Sequence, residues 1–235
     1  MKVTMIGAGG WGTAMVVCLA GRHDDLVLYC RKEETAEQLR QSGENKEYLP
    51  GVRIPRSVKI TSCLETAADG ADVVILATPS KAVKETTKKL LPYLKKEAVV
   101  VCAAKGLADK EGHRLSEVIK DILHDVTDRI VVLSGPNHAE EVGKGLPAAT
   151  VAASEVPEAV EIVQDLFMSP VFRVYRSHDI RGVEYGGALK NIIALACGVL
   201  DGLGLGDNSK AALITRGLVE MTRFGVYSVS YTHLR

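Results

Sequence analysis

The sequence predicts an α/β protein with a doubly wound, mostly parallel sheet, followed by the start of an all-helical domain. Over the first 178 residues, short β-branched and apolar runs alternate with helical patterns. Several of these runs are apolar at nearly every position, as expected of parallel strands that are covered on both faces. Beyond residue 179 no strand pattern occurs before residue 225, and two long helical patterns take over. These three observations favour the α/β class with a helical extension.

The predicted elements follow one another without a repeat or a low-complexity linker. Strands are predicted at residues 3–6, 26–30, 73–77, 99–102 and 130–133, with weaker patterns at 149–153 and 171–175. The helices between them are predicted at 11–20, 33–42, 81–94, 112–123 and 158–167. Two further helices are predicted at 180–200 and 210–224, joined by a glycine-rich loop at 201–208. We therefore expect a sheet domain over residues 1–178 and the beginning of a helical domain over 179–226.

The last nine residues, 227–235, fit neither predicted domain. The helical pattern through residue 225 is neither continued nor capped clearly. Residues 229–235 also spell what a translated transposon-end sequencing adapter can encode. We interpret the chain as C-terminally truncated, with a tail that is not native. A frayed natural C-terminus is the alternative.

Composition and charge exclude several classes of function. Lys plus Arg and Asp plus Glu both number 29, so the basic excess of a nucleic-acid-binding protein is missing. The five cysteines are scattered without a C-x-x-C pair, which predicts reduced thiols in the cytoplasm and no metal site. Residues 3–21 are uncharged but contain five glycines, so a strand, a turn and a buried helix are predicted there instead of a membrane span.

A glycine motif directly follows the first predicted strand. Residues 7–12 read Gly-Ala-Gly-Gly-Trp-Gly, a G-x-G-x-x-G pattern between a strand and a helix. In this setting Gly7 permits the tight turn, Gly9 lets the backbone approach a pyrophosphate, and Gly12 lets the helix pack closely on the strand. The N-terminus of the helix would then bind the phosphates. The motif predicts a Rossmann domain that binds NADP or NAD.

The residues after the second predicted strand bear on the choice of cofactor. An NAD-specific site usually carries an acid there, which accepts a hydrogen bond from the ribose 2′-hydroxyl. Here Arg31 and Lys32 occupy this place, and the acids Glu33 and Glu34 come later, where the next helix begins. Arg31 and Lys32 could contact the 2′-phosphate of NADP, or they could be a solvated basic pair. NADP is therefore plausible and NAD is not excluded.

Six segments together resemble the bacterial-type NAD(P)-dependent glycerol-3-phosphate dehydrogenases. Besides the glycine motif with its Trp11, they are Tyr-Leu-Pro-Gly-Val at 48–52, Ala-Thr-Pro-Ser at 77–80, Ala-Lys-Gly-Leu at 104–107, Ser-Gly-Pro-Asn-His-Ala at 134–139 and Glu-Tyr-Gly-Gly-Ala-Leu-Lys-Asn at 184–191. Their order and spacing agree with the family from residue 1 to about residue 226. The resemblance implies reversible reduction of dihydroxyacetone phosphate to sn-glycerol 3-phosphate by NADH or NADPH, which supplies phospholipid synthesis.

The resemblance also implies roles for particular residues. Lys190 matches the family's proton acceptor and donor, and substrate contacts are implied for Lys105, Gly135, Asn137 and Lys190. Cofactor contacts are implied for Gly10, Trp11, Arg31, Lys105 and Ala139. Many relatives carry Ser at the positions of Gly10 and Asn137, so hydroxyl contacts there are lost or altered in this chain. Later family residues, an Asp and a Ser-Arg-Asn run, have no counterpart in this chain. A homodimer stays open.

The surroundings of Lys190 and Lys105 support these roles on chemical grounds. Gly186 and Gly187 precede Lys190 by one turn on the same helix face, which leaves room there for a small ligand. The apolar run at 192–196 would desolvate Lys190 and lower its pKa toward the range of a general acid. Lys105 follows a predicted strand at the edge where α/β sheets bind ligands, and Gly106 beside it permits an unusual backbone angle. A packing role for Lys190 and a surface position for Lys105 are the alternatives.

Two other functions are consistent with the same motifs. One is a Rossmann reductase with a helical C-terminal domain and a different substrate, of the ketopantoate or 3-hydroxyacid type. The other is a module that binds the cofactor without turnover, which a truncated chain makes a real alternative. Activity with dihydroxyacetone phosphate compared with a panel of keto acids distinguishes the two enzymes. NADPH binding without oxidation in the presence of substrate would identify the binding module.

Overall fold

One sheet organises the first domain. The computed structural model describes residues 1–229. In this part the strands are β1 Val3–Ile6, β2 Leu26–Tyr29, β3 Lys59–Thr61, β4 Val73–Leu76, β5 Val99–Cys102, β6 Ile130–Ser134, β7 Ala148–Ala153 and β8 Phe172–Ser177. Their order is β3-β2-β1-β4-β5-β6-β7-β8, and all neighbours are parallel except β6 and β7. The predicted doubly wound sheet is confirmed.

Helices cover both faces of this sheet. They are α1 Gly10–Leu19, α2 Glu33–Ser42, α3 Leu64–Ala68, α4 Ser80–Leu90, α5 Leu115–Leu123, α6 Ala139–Gly143 and α7 Pro157–Phe167. Two long helices follow, α8 Ile180–Gly202 and α9 Gly206–Val229. The predicted helical extension after the sheet is therefore confirmed.

Short elements account for most of the differences from the predicted pattern. Strand β3 and the five-residue helices α3 and α6 were not predicted, because three to five residues are too few to show a period. The predicted helix at 81–94 ends at Leu90 and continues as a 3₁₀ turn, Leu91–Tyr93. The predicted glycine-rich loop at 201–208 is shorter than expected, because α8 runs to Gly202 and α9 begins at Gly206.

Two hydrophobic layers explain the nearly continuous apolar strands. In β4, Val73 and Ile75 pack into the layer that contains α1 and α7, whereas Val74 and Leu76 pack into the layer that contains α4 and α5. Successive side chains of a strand point to opposite faces, so a strand covered on both sides needs apolar residues at every position. All four of these side chains are fully buried.

The antiparallel strand β7 determines where α8 begins. Because β7 runs opposite to β6 and β8 is parallel to β7, β8 ends at the amino edge of the sheet. Helix α8 starts there, with Ile180 packed into the second layer, and runs back toward the carboxyl edge. Its first ten residues advance about 15 Å, close to the roughly 17 Å length of β6. Lys190 therefore reaches the carboxyl edge of β6.

The second half of α8 and much of α9 carry exposed apolar side chains. Ile192, Leu195 and Val199 are more than half exposed on α8, and an edge-to-face contact between Tyr185 and Phe224 joins the two helices. Among the described residues, α8 is the one helix with the length and apolar composition of a membrane span, and its first half packs against the sheet. The helix predicted to end near residue 224 continues to Val229. Residues 230–235 of the predicted tail lie outside the described residues.

Candidate active site

The glycine turn lies at the point in the sheet where the order of successive strands reverses. Strand β1 has β2 on one side and β4 on the other, which makes the crevice between β1 and β4 the switch point where such sheets bind ligands. Gly7 has φ +117°, and a Cβ on it would lie 2.9 Å from the Ala77 carbonyl oxygen. A Cβ on Gly12 would lie 2.0 Å from the Gly7 carbonyl oxygen. Both positions therefore require glycine for the turn and for close packing of α1.

Gly9 differs from its neighbours because it faces open space. A Cβ built on Gly9 meets no atom within 4 Å, and no side chain caps α1, whose N-cap residue is Gly9. The first N–H groups of a helix lack partners within the helix and attract phosphate oxygens. In the part of the chain that the structure describes, the buried Trp11 Nε1 and Thr78 Oγ1 atoms beside this turn have no hydrogen-bond partner. These features fit a dinucleotide with its pyrophosphate at Gly9.

Gly10 and Ala139 form one wall of the turn. A Cβ on Gly10 would lie 2.7 Å from the Tyr48 carbonyl oxygen and 3.7 Å from the Ala139 Cβ. Ala139 is the first residue of α6, which places the start of that helix beside the turn. The Asn45 side chain braces the same region by donating to the Ala8 carbonyl oxygen and to the Thr13 hydroxyl, both at 2.8 Å. Asn45 was not predicted from the sequence, because it lies in an irregular loop.

Arg31 and Lys32 follow β2 at the same edge and are both exposed. Lys32 is the N-cap residue of α2, and Glu33 begins the helix, as the sequence predicted. The Glu33 carboxylate is occupied by the Arg40 guanidinium and the Ser62 hydroxyl. The first acid after β2 is therefore engaged elsewhere, while two cations stay accessible at the end of the strand.

A lysine pair lies beside Trp11 at this crevice. The Lys190 Nζ atom donates to the Gly135 carbonyl oxygen at 2.7 Å, and the Lys105 Nζ atom lies 5.6 Å from the centre of the Trp11 ring. The two lysine side chains contact each other. Burial, and then the positive charge of Lys190, lower the pKa of Lys105 to about 8. The fold thus brings residues of four separate segments together at the cofactor crevice.

The loop after β6 is held tightly beneath this pair. A Cβ on Gly135 would lie 2.8 Å from the Ala149 carbonyl oxygen and 2.9 Å from the Thr150 Cα. The Asn137 amide donates to the same Ala149 oxygen at 2.7 Å, and its Oδ1 atom is buried without a partner among the described residues. Gly135 and Asn137 therefore lock the loop against β7, and the Gly135 carbonyl is fixed where Lys190 binds it.

Two expectations about Lys190 need correction. Gly187 does not clear space for a ligand, because a Cβ there would lie 2.5 Å from the Ser134 hydroxyl; this glycine lets α8 approach β6. Gly186 does face open space, as expected. The apolar run at 192–196 does not desolvate Lys190, because this part of α8 extends past the edge of the sheet and exposes Ile192 and Leu195. Burial does lower the pKa of Lys105.

These features define the class of protein. A parallel sheet with a G-x-G-x-x-G turn at its switch point and an uncapped helix N-terminus is a dinucleotide-binding Rossmann domain. A lysine pair lies at the same crevice.

The particular family follows from comparison with known proteins. The profile of the NAD-dependent glycerol-3-phosphate dehydrogenase N-terminus matches residues 2–160, and the profile of the C-terminus of the same family matches residues 179–232. The chain belongs to the NAD-dependent glycerol-3-phosphate dehydrogenase family, and the resemblance found in its motifs is confirmed.

Individual relatives agree with this assignment. Over 225 residues the chain is 53% identical to the glycerol-3-phosphate dehydrogenase [NAD(P)+] of Moorella thermoacetica, covering 96% of this chain and 66% of the relative. It is 48% identical to the Bacillus subtilis protein of the same name, covering 95% of this chain and 65% of that relative. A solved glycerol-3-phosphate dehydrogenase from Coxiella burnetii superposes with a TM-score of 0.88 at 34% identity, covering 97% of this chain and 69% of that one. The chain thus spans about two thirds of the length of these relatives.

Proposed function

We propose that this protein interconverts dihydroxyacetone phosphate and sn-glycerol 3-phosphate with NADPH or NADH. The observation that carries the proposal is the Lys105–Lys190 pair, which lies at the same crevice as the open pyrophosphate position at Gly9. Two adjacent cations suit a substrate that carries a phosphate and develops a negative alkoxide. The names of the relatives support the same reaction.

Some residues of this chain would bind the cofactor, and Lys190 would transfer the proton. Gly9, Gly10, Trp11 and Ala139 would hold the dinucleotide, which would supply the hydride when bound. Lys190, fixed by its bond to the Gly135 carbonyl oxygen, holds a proton for the substrate oxygen.

Lys105 covers the face of Trp11 and supplies a second charge to an anionic ligand. Arg31 and Lys32 would bind a 2′-phosphate, so NADP is the cofactor that this edge favours and NAD stays possible. The alternative reductase and the cofactor-binding module without turnover have no observation of their own in their favour.

The setting of the protein is part of the proposal. We place it in the cytoplasm, without a membrane span or a nucleic-acid partner, where it would supply phospholipid synthesis and could form a homodimer. The sheet domain over residues 1–178 would bind the cofactor, and the helical region from residue 179 would contribute Lys190.

The proposed reaction is tested by following the oxidation of NADPH and NADH at their absorbance maximum. Dihydroxyacetone phosphate is compared with ketopantoate and a set of 3-oxo acids. Because the relatives are about half again as long, the assay uses this chain and a chimera that adds the C-terminal third of the Moorella thermoacetica relative. Turnover with dihydroxyacetone phosphate alone is expected. Turnover with a keto acid instead, or cofactor binding without oxidation in both proteins, would overturn the proposal.

A pH dependence of cofactor binding is expected from Lys105. The pKa of this lysine is lowered to about 8, and an anion bound beside it favours the protonated form and raises the pKa again. The affinity for NADPH should therefore be constant below about pH 8 and fall above it, by up to about tenfold per pH unit for one linked proton. The fluorescence of Trp11, the single tryptophan of the chain, reports the binding.

Lys105→Arg is the matched variant for this measurement. Its guanidinium stays charged throughout this range, so the decline above pH 8 should disappear. An equal decline in both proteins would assign the effect to another group.

A further inference from the structure

We propose that Glu184 is a positioning residue. Through its bonds to Arg114 and Ser116 it fixes α8 along the sheet and so sets the position of Lys190 at the crevice. This inference rests on the proposed function, since it concerns the lysine assigned to proton transfer there. It adds a residue that touches neither substrate nor cofactor and that lies on the helix carrying the reactive group.

The Glu184 carboxylate is buried and fully engaged. It accepts hydrogen bonds from the Ser116 N–H at 2.9 Å, the Ser116 hydroxyl at 2.5 Å and the Arg114 Nη1 atom at 2.8 Å. Its side chain is 5% exposed and that of Arg114 is 6% exposed. Both partners belong to the N-terminus of α5, which packs on the sheet through Leu115, Ile119 and Leu123. The carboxylate therefore fastens α8 to a fixed part of the sheet domain.

The geometry of Arg114 keeps this contact specific. Burial opposes the guanidinium charge, but the carboxylates of Glu184 and Glu117 outweigh it, so the pKa of Arg114 is raised. Removing one member of a buried ion pair leaves an uncompensated charge, which is far more costly than losing an exposed pair. A fork of fixed donors also tolerates only one placement of the carboxylate. The pair thus resists sliding of α8 along the sheet.

The contacts of α8 show why this placement reaches Lys190. Glu184 and Lys190 are six residues apart, about 9 Å along the helix axis. Between them Gly187 lies against Ser134, and beyond Lys190 the helix exposes Ile192 and Leu195. The position of the Lys190 ammonium over the Gly135 carbonyl is therefore set from its N-terminal side, by the Glu184 anchor and the Gly187 contact.

The test uses Glu184→Ala and Glu184→Gln, with Glu117→Ala as the matched control. Glu117 binds the same guanidinium at 2.6 Å but lies on α5. Its removal therefore takes one hydrogen-bond partner from Arg114 and weakens the N-terminal cap of α5, but it does not release α8. The environment of Lys190 is measured by its rate of trinitrobenzenesulfonate labelling, read by peptide mass spectrometry. All labelling is done well below the unfolding temperature of each variant. Binding of NADPH and turnover are measured in parallel on the chain and on the chimera described above.

Lys190 labelling is expected to rise several-fold in Glu184→Ala, and kcat to fall by about 10²-fold, the effect of misplacing a reacting group by an ångström. NADPH affinity should stay unchanged. Glu184→Gln keeps an acceptor for the Ser116 N–H and should lie between Glu184→Ala and the unmodified protein. Glu117→Ala should label and turn over normally even if its unfolding temperature falls.

The outcomes separate the inference from the function beneath it. The positioning role would be overturned if folded Glu184→Gln and folded Glu184→Ala both kept the Lys190 labelling rate and the kcat of the unmodified protein. It would also be overturned if Glu117→Ala changed these two quantities as much as Glu184→Ala does. If Glu184→Ala does not fold, Glu184→Gln decides the matter alone. Faster labelling of Lys190 in proteins that lack any turnover would support the positioning role and reject the proposed reaction.

Discussion

Lys190→Ala is expected to lower turnover with dihydroxyacetone phosphate by about 10²–10⁴-fold, the usual contribution of a positioned proton donor. The Lys190 Nζ atom lies 2.7 Å from the Gly135 carbonyl oxygen and beside Lys105, where a ketone oxygen would receive its proton. NADPH binding should change little, because the pyrophosphate position is proposed at Gly9, whereas Lys190 bonds to Gly135. Steady-state kinetics on the chimera and Trp11 fluorescence measure the two properties separately.

Two further variants make this result interpretable. Lys190→Arg should recover little of the activity, because a guanidinium keeps its proton near neutral pH. Lys210→Ala is the matched control, since it removes a lysine from the same helical region whose ion pair with Asp201 is at the surface. A folded Lys190→Ala variant with nearly normal kcat would reject the acid–base assignment. If both Lys190 variants fail to fold, the role of Lys190 is in packing and not in proton transfer.

Gly9→Asp is expected to weaken NADPH binding by about 10²-fold or more. A Cβ at Gly9 meets no atom within 4 Å, so the aspartate fits without disturbing the fold and places its carboxylate in the space proposed for the pyrophosphate. Juxtaposed like charges cost several kcal/mol, and each 1.4 kcal/mol is a factor of ten in affinity. Titration followed by energy transfer from Trp11 to NADPH measures the loss.

Gly9→Ala is the control for the added side chain. Its methyl group enters the same open space without a charge, so a substantially smaller loss than in Gly9→Asp is expected. The circular dichroism spectrum should be the same for both variants. Unchanged affinity in a folded Gly9→Asp variant would remove the pyrophosphate from this position, and equal losses in the two variants would show that volume matters and charge does not.

The sequence predicted the elements whose own residues carry the information. Strand β4 is apolar at all four positions because both of its faces are covered, and such a run is visible without knowing its neighbours. The glycine turn was predicted from its own motif, in which the close approach of Gly12 to the Gly7 carbonyl oxygen is made within five residues. Strand β3 carried no such signal, since it has three partly exposed residues at the edge of the sheet.

The site depended on contacts that no local pattern contains. Because β7 reverses direction, α8 starts at the amino edge and runs back to the carboxyl edge, and this course brings Lys190 to Gly135, 55 residues earlier in the chain. The acid Glu184 in an apolar helical pattern was a signal of a buried partner, but its partner Arg114 is 70 residues away.

By itself, the sequence determined the sheet, the glycine turn and the family of this protein, because apolar periodicity and turn chemistry act between near neighbours. The tertiary structure decided the surroundings of the two lysines. The sequence placed the desolvating surroundings at Lys190, whereas burial lowers the pKa of Lys105. Desolvation and the repulsion between two ammonium groups depend on which side chains meet in space. That meeting is set by the path of α8 across the sheet.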